Sequence, residues 1–300
     1  MCVGSSPIWG AKNPRSSERG FSFVPKAQHH FLFVQTQMNE VALHTNRLTK
    51  KFVYAILIEK GGVAMEKIIH YENLRNFAYS NDKLIKGEIK GIVLKFYGLG
   101  DVTIHNTDPG DAIEYAEKGI VYVIPYYNPW CWMNKQAVEY VDEIIEVLCA
   151  KYHLDNSVKI VSTGGSMGGL SALVYCAYAK ITPCACVTNC PVCDLVYHYT
   201  ERPDLPRTLY SALGVYEGTM EDALKSCSPL HLVEKMPHIP YTIFHCEEDH
   251  SVNLEKHSRK FVGAMQSAHR IELKKVPFRG HCDLSAEARV EYMDCIVKSI

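Results

Sequence analysis

The sequence predicts a doubly wound α/β domain with a mostly parallel sheet. Three observations carry this. Short apolar runs rich in β-branched residues recur along the chain, segments of helical spacing separate them, and one run passes directly through a glycine-rich turn at 164–169 into a helix of small residues.

Taken in order, Ile92–Tyr97 is a β-rich run that ends at glycine. Asp111–Lys118 is a short helix closed by Gly119, and Ile120–Pro125 is an apolar strand. Asn134–His153 carries Val138, Val141, Ile144, Ile145 and Leu148 at helical spacing. Val158–Thr163 is a strand, Met167–Lys180 a helix and Cys184–Asn189 a strand. Tyr241–Cys246 (strand), Leu254–Ser267 (helix), Ile271–Val276 (strand) and Ser285–Ser299 (helix) complete the pattern. Strands that are apolar almost throughout are buried on both faces, so helices must cover both sides of the sheet. An active site on such a sheet lies at the carboxyl ends of the strands.

One segment breaks the rhythm. Residues 191–240 hold six prolines and little β pattern, and they are too many for an ordinary connection. The expectation is a small, partly helical insertion over the carboxyl edge, shaping a substrate pocket. The domain spans 65–300. Residues 1–64 read differently: they have a net charge of +5 against −6 for the rest, one cysteine of twelve, and only Phe52–Ile58 as a strand. Lys60-Gly61-Gly62 can be encoded by a ribosome-binding sequence, and Met65 follows at start-codon distance. The expectation is that 1–64 is a weakly structured extension, translated from upstream DNA.

Composition sets the outer limits. The chain is 47% hydrophobic and 22% charged with a formal charge of −1, so no whole-chain basic field recruits nucleic acid. The longest apolar runs are far too short to span a bilayer, which argues against a membrane partner. Met1–Gly20 lacks the apolar core of a signal peptide, so the thiols are expected to be reduced and the protein cytoplasmic. A homo-oligomer is left open.

The chemistry concentrates in Gly164-Gly165-Ser166-Met167-Gly168-Gly169. A serine on a tight strand–turn–helix junction is forced into a conformation that projects its hydroxyl. The glycines allow strand and helix to approach. The Met167 amide, at the helix N-terminus, points where an oxyanion would form. A phosphate-binding turn is the bland reading, but no Gly-x-x-x-x-Gly-Lys is present.

A serine needs a base, and a base needs an orienting acid. Both are expected after later strands, in the order Ser, Asp, His. Asp249 follows Tyr241–Cys246, and His281 follows Ile271–Val276. Glu247, Glu248 and Asp194 compete for the acid, with a solvated loop or a helix cap as their plainer roles. His250 and His257 compete for the base. A second oxyanion donor is expected from Phe96–Asp101, as the Leu99 amide or the Tyr97 hydroxyl. Tyr127, Trp130 and Trp132 follow another strand and either line an acyl pocket or cover the core. Cys184, Cys186, Cys190 and Cys193 have a spacing that zinc could use, but packing thiols on a buried strand is the simpler reading.

These motifs resemble the α/β-hydrolase superfamily over roughly residues 90–300. Within it they look most like the prolyl-oligopeptidase (S9-type) catalytic domain and related small carboxylesterases. Gly164–Gly169 matches the family's nucleophile elbow, Asp249-His250-Ser251-Val252 its acid loop, and Gly280-His281 its base loop. Tyr97-Gly98 is similar to the start of its oxyanion loop, although Leu99 displaces the following glycine. Cys246 stands where the family usually has glycine. The resemblance implies a serine hydrolase without metal or cofactor, acting on a small-molecule ester or a short peptide. Too few residues precede the domain for the propeller of the oligopeptidases, so an ester is expected over a peptide. A peptidase would need an acid for the substrate amine, such as Glu201 or Glu217. A non-catalytic binding protein on the same fold is the further alternative.

Overall fold

The computed structural model describes residues 68–214 and 216–300. The expectations for 1–64 lie outside these residues. Seven strands form one sheet: β1 (Ala78–Ser80), β2 (Gly91–Phe96), β3 (Ile120–Pro125), β4 (Ile160–Gly165), β5 (Ala185–Asn189), β6 (Tyr241–Cys246) and β7 (Ile271–Val276). Their order is β1-β3-β2-β4-β5-β6-β7. All neighbours are parallel except β1 with β3. Among the described residues the helices are α1 (Gly110–Glu117), α2 (Lys135–Tyr152), α3 (Met167–Tyr178), α4 (Leu195–Glu201), α5 (Leu205–Leu213), α6 (Met220–Ser226), α7 (Lys260–Met265) and α8 (Ala286–Val297). None is long and apolar enough to cross a membrane.

The topology decides where a ligand can sit. From β2 the chain moves outward to β3, then returns across β2 to lay down β4 on the other side. The connections on β2 and β4 therefore diverge at their carboxyl ends, which opens a crevice there. The residues after β2 are Tyr97–Gly100, and those after β4 begin with Ser166. Directly behind lies α3. Every residue from Met167 to Cys176 is buried, and its small residues let the helix lie close to the sheet.

Local chemistry explains the other elements. The Asn134 side chain caps α2 by accepting from the Ala137 amide at 3.0 Å, and Val138, Val141, Ile144, Ile145 and Leu148 form its buried face. His153 ends it in a left-handed conformation, φ 55°. The Leu254–Ser267 helix expected from sequence is instead a π turn, Glu255–Arg259, followed by the short α7. The turn places Ser258 Oγ 2.7 Å from His245 Nδ1 and packs His257 into the core, so tertiary contacts override the helical period. At three residues, β1 is too short for any periodic signal.

Residues 191–240 form α4, α5, α6 and two 3₁₀ turns. Leu205, Leu209 and Leu213 give α5 one buried stripe. The segment is fastened to the loop between β3 and α2: Trp132 Nε1 donates to Thr208 Oγ1 at 3.1 Å, and Asn134 Nδ2 donates to the Ala212 carbonyl at 2.9 Å.

Candidate active site

β4 runs into Gly164 and Gly165, and Ser166 follows with φ 57° and ψ −124°. A non-glycine residue is strained in this region, by roughly 1–3 kcal/mol. Three backbone bonds over-determine the strain. The Ser166 amide donates to the Asn189 carbonyl at 3.0 Å, and the Ser166 carbonyl accepts from Leu170 at 3.1 Å and Val192 at 3.2 Å. The serine is thereby locked to β5, to α3 and to the start of the insertion. The neighbouring glycines are sterically required. A Cβ on Gly168 would lie 2.4 Å from the Phe96 carbonyl oxygen, and one on Gly164 would lie 2.4 Å from that of Gly168.

Asp249 and His281 meet after β6 and β7. His281 Nδ1 lies 2.6 Å from Asp249 Oδ2. Asp249 Oδ1 accepts from the Ser251 amide at 2.8 Å and the Val252 amide at 2.9 Å. Asp249 is buried, whereas Glu247, Glu248 and His250 are exposed, so burial separates it from its sequence neighbours. Burial alone would raise the Asp249 carboxyl, but the His281 hydrogen bond and the two amides outweigh it and hold it below the ordinary carboxylate range. Burial would lower the His281 imidazole, yet the Asp249 hydrogen bond, with contributions from Cys190 and the Asp249 charge, raises it to about 9.

Ser166, Met167, Gly98, Leu99 and His281 all line one cavity of about 590 Å³. Ser166 Oγ makes no hydrogen bond to His281 among the described residues. The amides of Met167 and Leu99 have no acceptor among the described residues. The Tyr97 hydroxyl, expected as an oxyanion donor, is committed elsewhere: it donates to the Thr103 carbonyl at 2.6 Å.

The aromatic loop also divides. Trp132 lines the cavity, edge-on to His198 at 5.6 Å between centroids. Tyr127 does not line it. Its buried hydroxyl accepts from the Tyr97 amide at 2.8 Å and fixes the end of β2. Trp130 does not line it either; its indole lies over Gly100. For these two, support of the loop replaces the pocket role expected from sequence.

The remaining candidates have structural employment. Asp194 caps α4 through the Tyr197 amide and pairs with Lys260 at 2.7 Å. His257 Nδ1 accepts from the Cys193 and Asp194 amides at 3.2 Å each, and its Nε2 faces Glu201 Oε2 at 3.1 Å. Glu201 also meets His198 Nδ1 at 2.6 Å. Burial would raise this carboxyl, but the two imidazoles outweigh it and hold it at about 2. Neither Glu201 nor the exposed Glu217 lines the cavity. Cys186 and Cys193 are buried, and Cys190 lies against His281 and Cys282 instead of completing a four-thiol cluster.

Sequence reasoning missed several lining residues: Lys95, His105, His198 and Arg202. His198 had a readable signal, because Asp194 begins a helix that carries it. Lys95 had none, since its inward aim depends on the register of β2.

No curated protein matches the chain in sequence. Solved structures share its fold. The puromycin-hydrolysing peptidase of Mycobacterium tuberculosis superposes with TM-score 0.60 at 17% identity, covering 71% of this chain and 34% of that one. The acylaminoacyl peptidase of Pyrococcus horikoshii gives 0.58 at 14% identity, covering 71% and 37%. The chain thus spans about a third of the length of these peptidases. Esterase 2 of Thermogutta terrifontis, solved with propionate, gives 0.53 at 22% identity and covers 73% and 86%. These likenesses establish the α/β-hydrolase fold. The sequence pattern of the prolyl oligopeptidase family matches residues 131–297, more than half of the chain, and so this protein belongs to that family.

Proposed function

We propose that the protein is a serine hydrolase that cleaves a carboxylic ester through an acyl-enzyme. The observation that carries this is that His281, held from behind by the buried Asp249, lines one cavity together with Ser166 at the sheet's topological switch point. Ser166 Oγ attacks the acyl carbon as His281 Nε2 takes its proton. Asp249 holds the proton on Nδ1 and stabilises the imidazolium. The amides of Met167 and Leu99 receive the oxyanion, each such donor contributing on the order of 10²–10³ in turnover. His281 returns the proton to the leaving alcohol. Water, activated by the same imidazole, then releases the acid.

An ester is favoured over a peptide with a free amino terminus by the lining. The cavity presents Lys95 and Arg202 against the single acid Asp101, beside His105 and His198, which burial pushes toward the neutral form. A substrate ammonium finds no acidic pair there, because Glu201 is turned to the two histidines. An N-acylated peptide carries no ammonium and is the second reading, favoured by family membership and by the likeness to an acylaminoacyl peptidase. Parallel assays separate these readings. The expected result is turnover of p-nitrophenyl acetate with inert aminoacyl-proline anilides. Turnover of N-acetyl-aminoacyl anilides at rates matching the ester would move the protein to the second reading. Turnover of free-amine anilides would contradict the charge argument.

The acid–base pair sets the pH profile. The base must be neutral to act, and its imidazole is held up to about 9. Measured with a chelator present, kcat/KM is expected to climb with pH and level off only above about pH 9. Asp249→Asn removes the charge that holds the proton. It is expected to cost about 10³–10⁴ in kcat and to move the step down toward the ordinary imidazole value of roughly 6.5. A profile unmoved by this change would remove Asp249 from the site.

A further inference from the structure

The imidazole at the cavity wall is flanked by two thiols that the hydrolytic scheme does not use. Cys282 follows His281 directly, with its Sγ 3.8 Å from His281 Nε2. Cys190 follows β5, and its Sγ, Cys282 Sγ and the imidazole nitrogen all lie within 4.8 Å of one another. The backbone is bent to achieve this: Cys190 has φ 46° and Cys282 φ 58°, left-handed values that are rare outside glycine. Further contacts fix the sulfurs. Cys190 Sγ accepts from the Cys246 amide at 3.3 Å, and Cys282 Sγ lies 3.6 Å from the Asn189 carbonyl oxygen.

We propose that His281 Nε2, Cys282 Sγ and Cys190 Sγ form a binding site for a thiophilic divalent cation such as Zn²⁺, whose binding withdraws the base and stops hydrolysis. Metal–sulfur bonds of about 2.3 Å and metal–nitrogen bonds of about 2.0 Å put tetrahedral donors roughly 3.5–3.8 Å apart. The Cys282–His281 separation already meets this, and the third donor needs at most about 1 Å of side-chain movement. Asp249 accepts the hydrogen bond of Nδ1–H, so Nε2 presents its lone pair, and a carboxylate behind a ligating imidazole is the usual outer shell of a zinc site. His281 and Cys282 line the cavity, so the fourth position faces solvent and holds water. Binding displaces one proton from each thiol to solvent. With two sulfurs and a nitrogen, the site selects against Mg²⁺ and Ca²⁺, which require oxygen.

The other clusters of potential ligands lack this property. In His198–Glu201–His257, the Nδ1 of His257 already accepts two amides, so its Nε2 carries a proton toward Glu201, and His198 Nδ1 donates to the same carboxylate. His245 spends Nε2 on the Val252 carbonyl at 3.0 Å and Nδ1 on Ser258.

The inhibition rests on the proposed role of His281, whereas the binding does not, so two measurements are made on the full chain. Co²⁺ added to the Ser166→Ala protein is expected to give thiolate-to-cobalt charge-transfer absorption that saturates at one ion per chain. Zn²⁺ is expected to displace it, and Cys282→Ser and Cys190→Ser are each expected to weaken it. No such absorption in the folded Ser166→Ala protein would overturn the site, whatever the enzyme hydrolyses. In the second measurement, Zn²⁺ suppresses ester hydrolysis, EDTA restores it and Mg²⁺ has no effect. The ratio of rates with and without Zn²⁺, taken within each variant, is independent of its basal rate. The inhibiting Zn²⁺ concentration is expected to rise at least about tenfold in either cysteine variant, the size of effect that even outer-shell partners have on metal affinity. Inhibition equally strong in both variants would place the ion elsewhere, and hydrolysis unchanged by Zn²⁺ in a protein that shows the cobalt absorption would overturn the inhibitory role.

Discussion

Ser166→Ala is expected to lower kcat for p-nitrophenyl acetate by about 10⁴–10⁶-fold while the protein stays folded. The size follows from losing the proposed nucleophile, since a triad without its serine retains only what substrate binding and the oxyanion donors supply. The intact fold follows from the elbow. The bonds that hold residue 166 use its backbone amide and carbonyl, to Asn189, Leu170 and Val192, and none uses the hydroxyl. Alanine meets the same strain at φ 57° as serine does, so strain adds no difference. Steady-state kinetics with circular dichroism checks both halves. A tenfold loss or less would show that another group performs the attack.

Gly168→Ala has the largest expected effect on stability. The added methyl would sit 2.4 Å from the Phe96 carbonyl oxygen and 2.7 Å from that of Tyr97. Both are backbone atoms of the β2 end, so no rotamer relieves the clash. Helix α3 must move off the sheet, and the amides of Met167 and Leu99 separate as it does. Overpacking of this kind costs about 3 kcal/mol, and Tm falls by roughly 6–12 °C in a domain of this size. Gly263→Ala is the control. Its methyl meets nothing within 4 Å inside α7, and it is expected to be neutral or to stabilise by up to about 1 kcal/mol. Equal melting temperatures for the two variants would contradict the packing account of the elbow.

The sequence carried what short-range chemistry determines. Ile120–Pro125, Tyr241–Cys246 and Ile271–Val276 are strands with the expected limits, because short runs carrying β-branched or aromatic residues between turn formers suit a strand better than a helix. The junction at Ser166 was visible for the same reason, since only glycine fits where strand and helix backbones touch. Asp249 and His281 were legible as residues after strands. Their 2.6 Å approach was not, because it depends on β6 and β7 being neighbours. The errors share one cause. Tyr97, Tyr127 and Trp130 lie on loops near the crevice, and sequence cannot say whether a loop side chain turns to the ligand or to its own backbone. The Tyr97 hydroxyl turns to Thr103, and the Tyr127 hydroxyl to Tyr97. The π turn at Glu255–Arg259 escaped for a related reason, because the contacts of Ser258 and His257 lie far away in sequence.

The most direct test of the central claim is covalent labelling with a fluorophosphonate, which reacts only with a serine activated by a neighbouring base. The site predicts one adduct per chain, found by mass spectrometry on the peptide that carries Ser166, absent in Ser166→Ala and strongly slowed in His281→Ala. Folded protein that takes up no label at pH 9, or that takes it up on a different serine, would contradict the assignment of Ser166 and His281 as nucleophile and base.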